Sequence, residues 1–192
     1  MISAILAFLL AAGAAQDGDL EIAAERVGPI TSRTVLTTTS LAPLFPGGRI
    51  EHFETAGIGG FKDGGRGWNV WTTGKELTLT IVSDARGRCW TVNVLGRSLR
   101  TREGLRVGSK VDDLLVLGGV RCRRSPEEEG ELLACARQSV PNVEFLFVPT
   151  ATELNARGVN GEMPATFAPE RHTDRRVELI LWSPPTQRSE CR

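Results

Sequence analysis

SKVDDLLVLGGVRCRRSPEEEGELLACARQSVPNVEFLFV, residues 109–148, holds a helix, a stop and three strands in one short run. Ser109 stands where a helix N-cap belongs, and Asp112, three residues on, is placed to return the bond. Val111, Leu114 and Leu115 fall at i, i+3 and i+4, the spacing of one helical face, and Gly118-Gly119 supplies the stop. Strands are expected at 120–124, 131–137 and 143–148, the last alternating through Val143, Phe145 and Phe147. A further strand at 176–182 alternates through Val177, Leu179 and Leu181.

The same order stands earlier in the chain. Ser40 to Phe45 reads as a short helix, with Ser40 as cap and Pro43 tolerated in its first turn, and Pro46-Gly47-Gly48 ends it. Strands are expected at 49–55, 76–84 and 88–95, where Leu77, Leu79, Ile81 and then Trp90, Val92, Val94 alternate with polar residues, the mark of a sheet buried on one face. The fold class is therefore α+β: an antiparallel sheet with short helices, built as two tandem helix-plus-strands units that share one sheet. Two stretches fall outside the pattern and are expected to be loops, the glycine-rich 56–71 and the long connection 150–174.

Four cysteines, Cys89, Cys122, Cys135 and Cys191, allow three pairings. Geometry favours one. If Cys122 faces Cys135, Arg124 faces Leu133 and 127–130 make a four-residue loop, and directly opposed antiparallel residues sit about 4.5 to 5.5 Å apart at Cα, within reach of a disulfide. Cys89 with Cys191 is then the remaining pair. The alternative, a tetrahedral zinc site, lacks a C-x-x-C knuckle, and no metal or cofactor is expected.

Ile2 to Ala12 (ISAILAFLLAA) is about half the ~20 apolar residues that span a bilayer, and it ends in Gly13, Ala14 and Ala15 before acidic residues. That is the pattern of a signal peptide, residues 1–14, leaving 15–192 as a single domain and no transmembrane anchor. Export also fits an even number of cysteines. With 23 basic and 23 acidic residues the formal charge is zero, so no global field steers the chain to nucleic acid.

Catalytic machinery is hard to find. No G-x-S-x-G elbow is present, and Gly59-Gly60 and Gly64-Gly65 do not make a phosphate loop. His52, sharing a strand face with Ile50, is expected to be a partly buried structural histidine, and His172 a solvated one. Binding residues are expected in two places. Arg97, Arg100, Arg102 and Arg106 cluster, with Arg121, Arg123 and Arg124 on the disulfide hairpin, and Trp68 and Trp71 stand in the glycine loop as candidate exposed anchors.

An ordered set of segments carries a resemblance. It runs from Val27-Gly28-Pro29-Ile30-Thr31 through Thr91-Val92-Asn93-Val94-Leu95 and Gly104-Leu105-Arg106-Val107-Gly108-Ser109. It continues through Cys122 and Cys135, Val143-Glu144-Phe145-Leu146-Phe147, Met163-Pro164 and Val177-Glu178-Leu179-Ile180-Leu181-Trp182. Over roughly 27–182 the chain resembles the RpoE-regulated lipoproteins of enteric bacteria. The resemblance implies a periplasm-facing α+β domain with a cysteine pair at Cys122 and Cys135, and it implies no reaction. The lipobox cysteine of that family is absent here, so free periplasmic residence is expected rather than lipid anchoring to the outer membrane. The tandem helix-plus-sheet unit is also similar to bacterial folds that bind or inhibit other proteins. The expected function is that of a non-catalytic periplasmic protein binding an envelope protein or an anionic envelope component. The alternative is a small periplasmic hydrolase using a histidine and a carboxylate.

Overall fold

The structure, a computed structural model, describes residues 21–55, 64–72, 76–84, 86–87, 90–127, 130–148 and 175–185. The expected signal segment 1–14, Cys89, Cys191, His172 and the connection 150–174 lie outside the described residues. In chain order the elements are β1 (Glu21–Ile22), β2 (Arg26–Val27), β3 (Ile30–Thr31), α1 (Thr38–Leu41) running into a 3-10 turn (Ala42–Leu44), β4 (Arg49–Thr55), β5 (Gly65–Trp71), β6 (Leu77–Asp84) and β7 (Trp90–Val94). Then follow β8 (Arg100–Thr101), α2 (Val111–Val116), β9 (Val120–Glu127), β10 (Gly130–Arg137), β11 (Val140–Phe147) and β12 (Leu179–Trp182).

Eight strands form one antiparallel sheet in the order β4-β5-β6-β7-β12-β11-β10-β9. Each half of the chain contributes a helix followed by a four-strand meander, and the last strands of the two meanders, β7 and β12, pair to join them. The expected tandem architecture is thus present, and more symmetric than the sequence suggested. The glycine-rich stretch supplies the missing fourth strand: residues 65–71 are β5, not loop, because strand pairing on both sides satisfies its backbone.

One register row crosses all eight strands, Ile50–Val70–Leu79–Val94–Ile180–Phe145–Cys135–Cys122. A parallel row runs His52–Trp68–Ile81–Val92–Trp182–Val143. These rows form the core face. Leu41 and Phe45 from the α1 region, Val111 and Leu114 from α2, and Leu99, Leu105 and Val107 from the connection after β7 belong to the same buried cluster. The opposite face carries Glu51–Asn69–Thr80–Asn93 and Glu144–Ala136–Arg121, which explains the period-2 pattern.

Local chemistry departs from expectation at four points. Thr37, not Ser40, caps α1, its hydroxyl oxygen accepting from the Ser40 N–H at 3.0 Å. At α2 the Asp113 carboxylate accepts from the Lys110 N–H, while the Ser109 hydroxyl accepts from the Arg106 N–H, so Ser109 and Asp112 are not the cap. A bulge sets Leu77 opposite Trp71 and takes it off the core face, leaving Thr78 buried. Finally, Glu127 pairs with Gly130, so the β9–β10 hairpin is tighter than the four-residue loop expected. The register of Cys122 with Cys135 and of Arg124 with Leu133 is as expected, and the two cysteines form a disulfide with Cα atoms 4.0 Å apart.

A second, small sheet, β3-β2-β1-β8, lies over the core side. Its β1 pairs in parallel with β8, bringing Glu21 to Arg100 and Ile22 to Thr101.

Candidate binding surface and adjoining cavity

Between β7 and α2 the chain alternates: Leu99, Thr101, Leu105 and Val107 are buried, whereas Arg100, Arg102 and Arg106 are exposed. Burying the apolar members forces the arginines outward. Two turns fix the path. In the first, the Gly104 N–H donates to the Thr101 carbonyl and the Thr101 N–H to the Leu105 carbonyl. In the second, around Gly108, the Ser109 N–H donates to the Arg106 carbonyl.

Gly108 has φ +85°, a conformation that favours glycine, and its position gathers cations. The Arg97 guanidinium lies over it, so that a Cβ there would come within 3.3 Å of Nε, and Arg176 Nη1 donates to the Gly108 carbonyl at 2.8 Å. Lys110 bridges to Arg176 through the backbone. Among the described residues, none of Arg97, Arg100, Arg102, Arg106 and Lys110 makes an ion pair. Unpaired cations on one connection form a local positive surface in a chain of zero net charge.

The tryptophans behave differently from the arginines. Trp68 is 4% exposed and faces the core beneath β4, so it is no exposed anchor; its place in a strand rather than a loop is the reason. Trp71 is half-buried on the outer face, with the Arg49 guanidinium 3.8 Å from its ring centroid. Trp71 opposes Leu77, and Gly96 packs on Thr78, so Trp71 and Arg97 share one end of the sheet, about two strand spacings (~10 Å) apart. Arg121 and Arg123 are exposed on the far edge strand β9, and Arg123 is tied to Glu144 at 2.6 Å. They do not join the Arg97 surface.

His52 is exposed, not partly buried. Its side chain points to the core side, but β4 is the sheet edge, and its ring rests on Trp68 at 5.3 Å. It does not line the cavity described next. No cluster of three His, Cys, Asp or Glu suited to a metal exists among the described residues.

A cavity of about 240 Å3 opens beside the arginine surface, between the small sheet and strands β10 and β11. Ile22, Leu105, Val143 and Phe145 give it an apolar lining, and Glu21, Glu25, Arg102, Glu103 and Arg137 are the charged groups that line it. Arg137 Nη1 donates to Glu103 at 2.7 Å. Burial by itself would raise the Glu103 carboxyl, but hydrogen bonds from its own backbone N–H and from the Thr101 hydroxyl, together with the Arg137 guanidinium, outweigh it and hold the group below the ordinary value. The opposite wall is pinned by one carbonyl: Ala24 O accepts from Asn142 Nδ2 at 2.6 Å and from Trp182 Nε1 at 3.1 Å.

No sequence signal pointed to this cavity. Its walls come from residues 21–25, 101–105 and 137–145, which meet only because β1 pairs with β8 over the end of the large sheet.

Fold and surface together define a two-layer α+β domain made of tandem helix-plus-meander units, with an arginine-rich connection on its helical side. Among solved structures it is similar to the crystal structure of the uncharacterised protein YfeY from Escherichia coli, with a TM-score of 0.58 and 18% sequence identity over 86% of this chain and 99% of that one. At that identity the likeness shows the fold alone. No family model matches the sequence, and no curated protein does.

Proposed function

We propose that the protein is an exported, non-catalytic envelope protein that resides in the periplasm, belongs with the RpoE-regulated lipoproteins it resembles in sequence, and binds an anionic envelope component through Arg97, Arg100 and Arg102. The observation that carries the reading is the exposure of these side chains, with Arg106 and Lys110, free of ion pairs among the described residues. Arginine is suited to this role because its planar guanidinium takes phosphate or carboxylate oxygens bidentately. The signal-like N-terminus and the Cys122–Cys135 disulfide support the compartment. No helix among the described residues is long and apolar enough to cross a membrane. The fold likeness to YfeY is compatible with the family reading and assigns no activity. Trp71 stands at the edge of the same region as a flanking contact; Trp68 is left to the core.

Co-sedimentation with vesicles tests this. The protein is expected to bind vesicles rich in phosphatidylglycerol and to ignore phosphatidylcholine. Replacing Arg97, Arg100 and Arg102 together by Ala should weaken binding on the order of 100-fold, at about 1 kcal/mol per surface cation. Raising salt to about 0.5 M should weaken the wild type in the same direction, because these charges are solvent-exposed. Equal binding to the two vesicle types overturns the proposal.

A further inference from the structure

We infer that the cavity beside Arg102 seats the apolar tail of a single-chain anionic amphiphile, whose carboxylate or phosphate rests on Arg102. The inference deepens the anionic-component reading and rests on it for the sign of the headgroup.

Three observations converge. The lining is apolar where it is deepest, since Ile22, Leu105, Val143 and Phe145 are each no more than 4% exposed. Its volume of 240 Å3 equals roughly eight water molecules at ≈30 Å3 each, the room needed by about eight methylenes. Two arginines flank this apolar floor: Arg102 is exposed and makes no described ion pair, while Arg137 keeps Nη1 on Glu103 and has a buried Nε without any hydrogen-bond acceptor. A buried guanidinium N–H without a protein acceptor is a position that an incoming water or ligand oxygen can take.

Most of the charges on the lining are already paired. Glu21 is held by Arg26 at 2.6 Å and Glu103 by Arg137, so both are already neutralised. The Arg137 charge is spent on Glu103 in turn, and Glu25 stands exposed, where water and salt screen it. Among the described residues Arg102 is the unpaired cation at the cavity, and the arginine surface it belongs to sets the sign of the headgroup. Arg102 also joins the cavity to the arginine surface, so an acyl chain in the cavity and its anionic head on the surface form one continuous site.

Calorimetry with straight-chain carboxylates of six to twelve carbons, below their micelle concentrations, tests the inference on the disulfide-intact protein. Affinity should rise about fourfold per methylene and level off near eight carbons, where the cavity is full. Octyl phosphate should bind like the carboxylate of equal tail length if the headgroup site is a general anion seat, and more weakly if the source is a free fatty acid. The octyl trimethylammonium ion should bind at least tenfold more weakly than either. Leu105→Trp, which fills the cavity, should abolish octanoate binding while leaving phosphatidylglycerol vesicle binding in place; Arg102→Gln, at an exposed position, should weaken octanoate about tenfold without affecting the melting temperature. Affinity independent of chain length, an ammonium ion that binds as well as the anions, or octanoate binding unchanged in both variants overturns the cavity assignment. Loss of vesicle binding in the wild type would instead overturn the surface on which it builds.

Discussion

Asn142 is a buried polar side chain, 5% exposed, whose Nδ2 serves two carbonyls at once, Ala24 at 2.6 Å and Ser183 at 3.0 Å. It ties the strand-poor N-terminal segment to the end of the large sheet. Asn142→Ala is expected to cost about 2 kcal/mol, since the Ser183 carbonyl loses its side-chain donor and Ala24 keeps only Trp182 Nε1. Urea unfolding checks this, and a variant as stable as the wild type would refute it.

Glu103 belongs to the same scale. Its folded-state affinity for a proton is depressed, so its contribution to stability is present above the unfolded carboxyl value near 4.3 and is lost as pH falls through the lower folded value. Its side chain is 38% exposed, which limits the effect to about 0.5 kcal/mol. Glu103→Gln should therefore melt slightly below wild type at pH 7 and together with it in strong acid. A difference that grows on acidification would contradict the sign.

At the scale of the element, the β9–β10 hairpin is held across its register by the Cys122–Cys135 bridge. Replacing both cysteines by Ala is expected to cost between about 2 and 5 kcal/mol, the range for native disulfides in small secreted domains. Melting with and without reductant checks this, and identical curves would refute it. The Gly108 turn is the second critical element. Its φ of +85° and the Arg97 guanidinium above it make Gly108→Ala expensive, about 1 to 2 kcal/mol, and the change should also loosen the Arg97 and Arg176 contacts. Chemical denaturation reads the first effect and vesicle affinity the second.

The elements show why some readings of the sequence succeed. The β4 strand was legible to the residue, Arg49–Thr55, because Pro46-Gly47-Gly48 ends the helix before it and the glycine-rich stretch begins just after it. The strand at 65–71 was not, because Gly65 and Gly67 erase the pattern; in the fold, the Phe53 ring covers Gly67, so close that a Cβ there would fall within 2.1 Å of it. Leu77 misled for another reason, since a bulge is a property of the pairing and leaves no mark on one strand alone.

For the whole molecule, the eight-strand row from Ile50 to Cys122 makes one continuous core face, and the two meanders meet at the β7–β12 seam. A protein so joined is expected to unfold as a unit. Hydrogen exchange should give the amides of β7 and β12 protection equal to global unfolding, and early exchange along this seam would show that the halves open separately.

The sequence by itself determined the α+β class, the tandem order of helix and strands, the cysteine register and the arginine cluster, because periodicity, turn residues and charge act over a few neighbours. Only the tertiary structure decided that Trp68 is core, that His52 is an exposed edge residue, and that Arg102 borders an apolar cavity. Those outcomes depend on which strand lies at the edge and on residues 21–25 meeting 137–145 across more than a hundred positions of chain, contacts that no local pattern encodes.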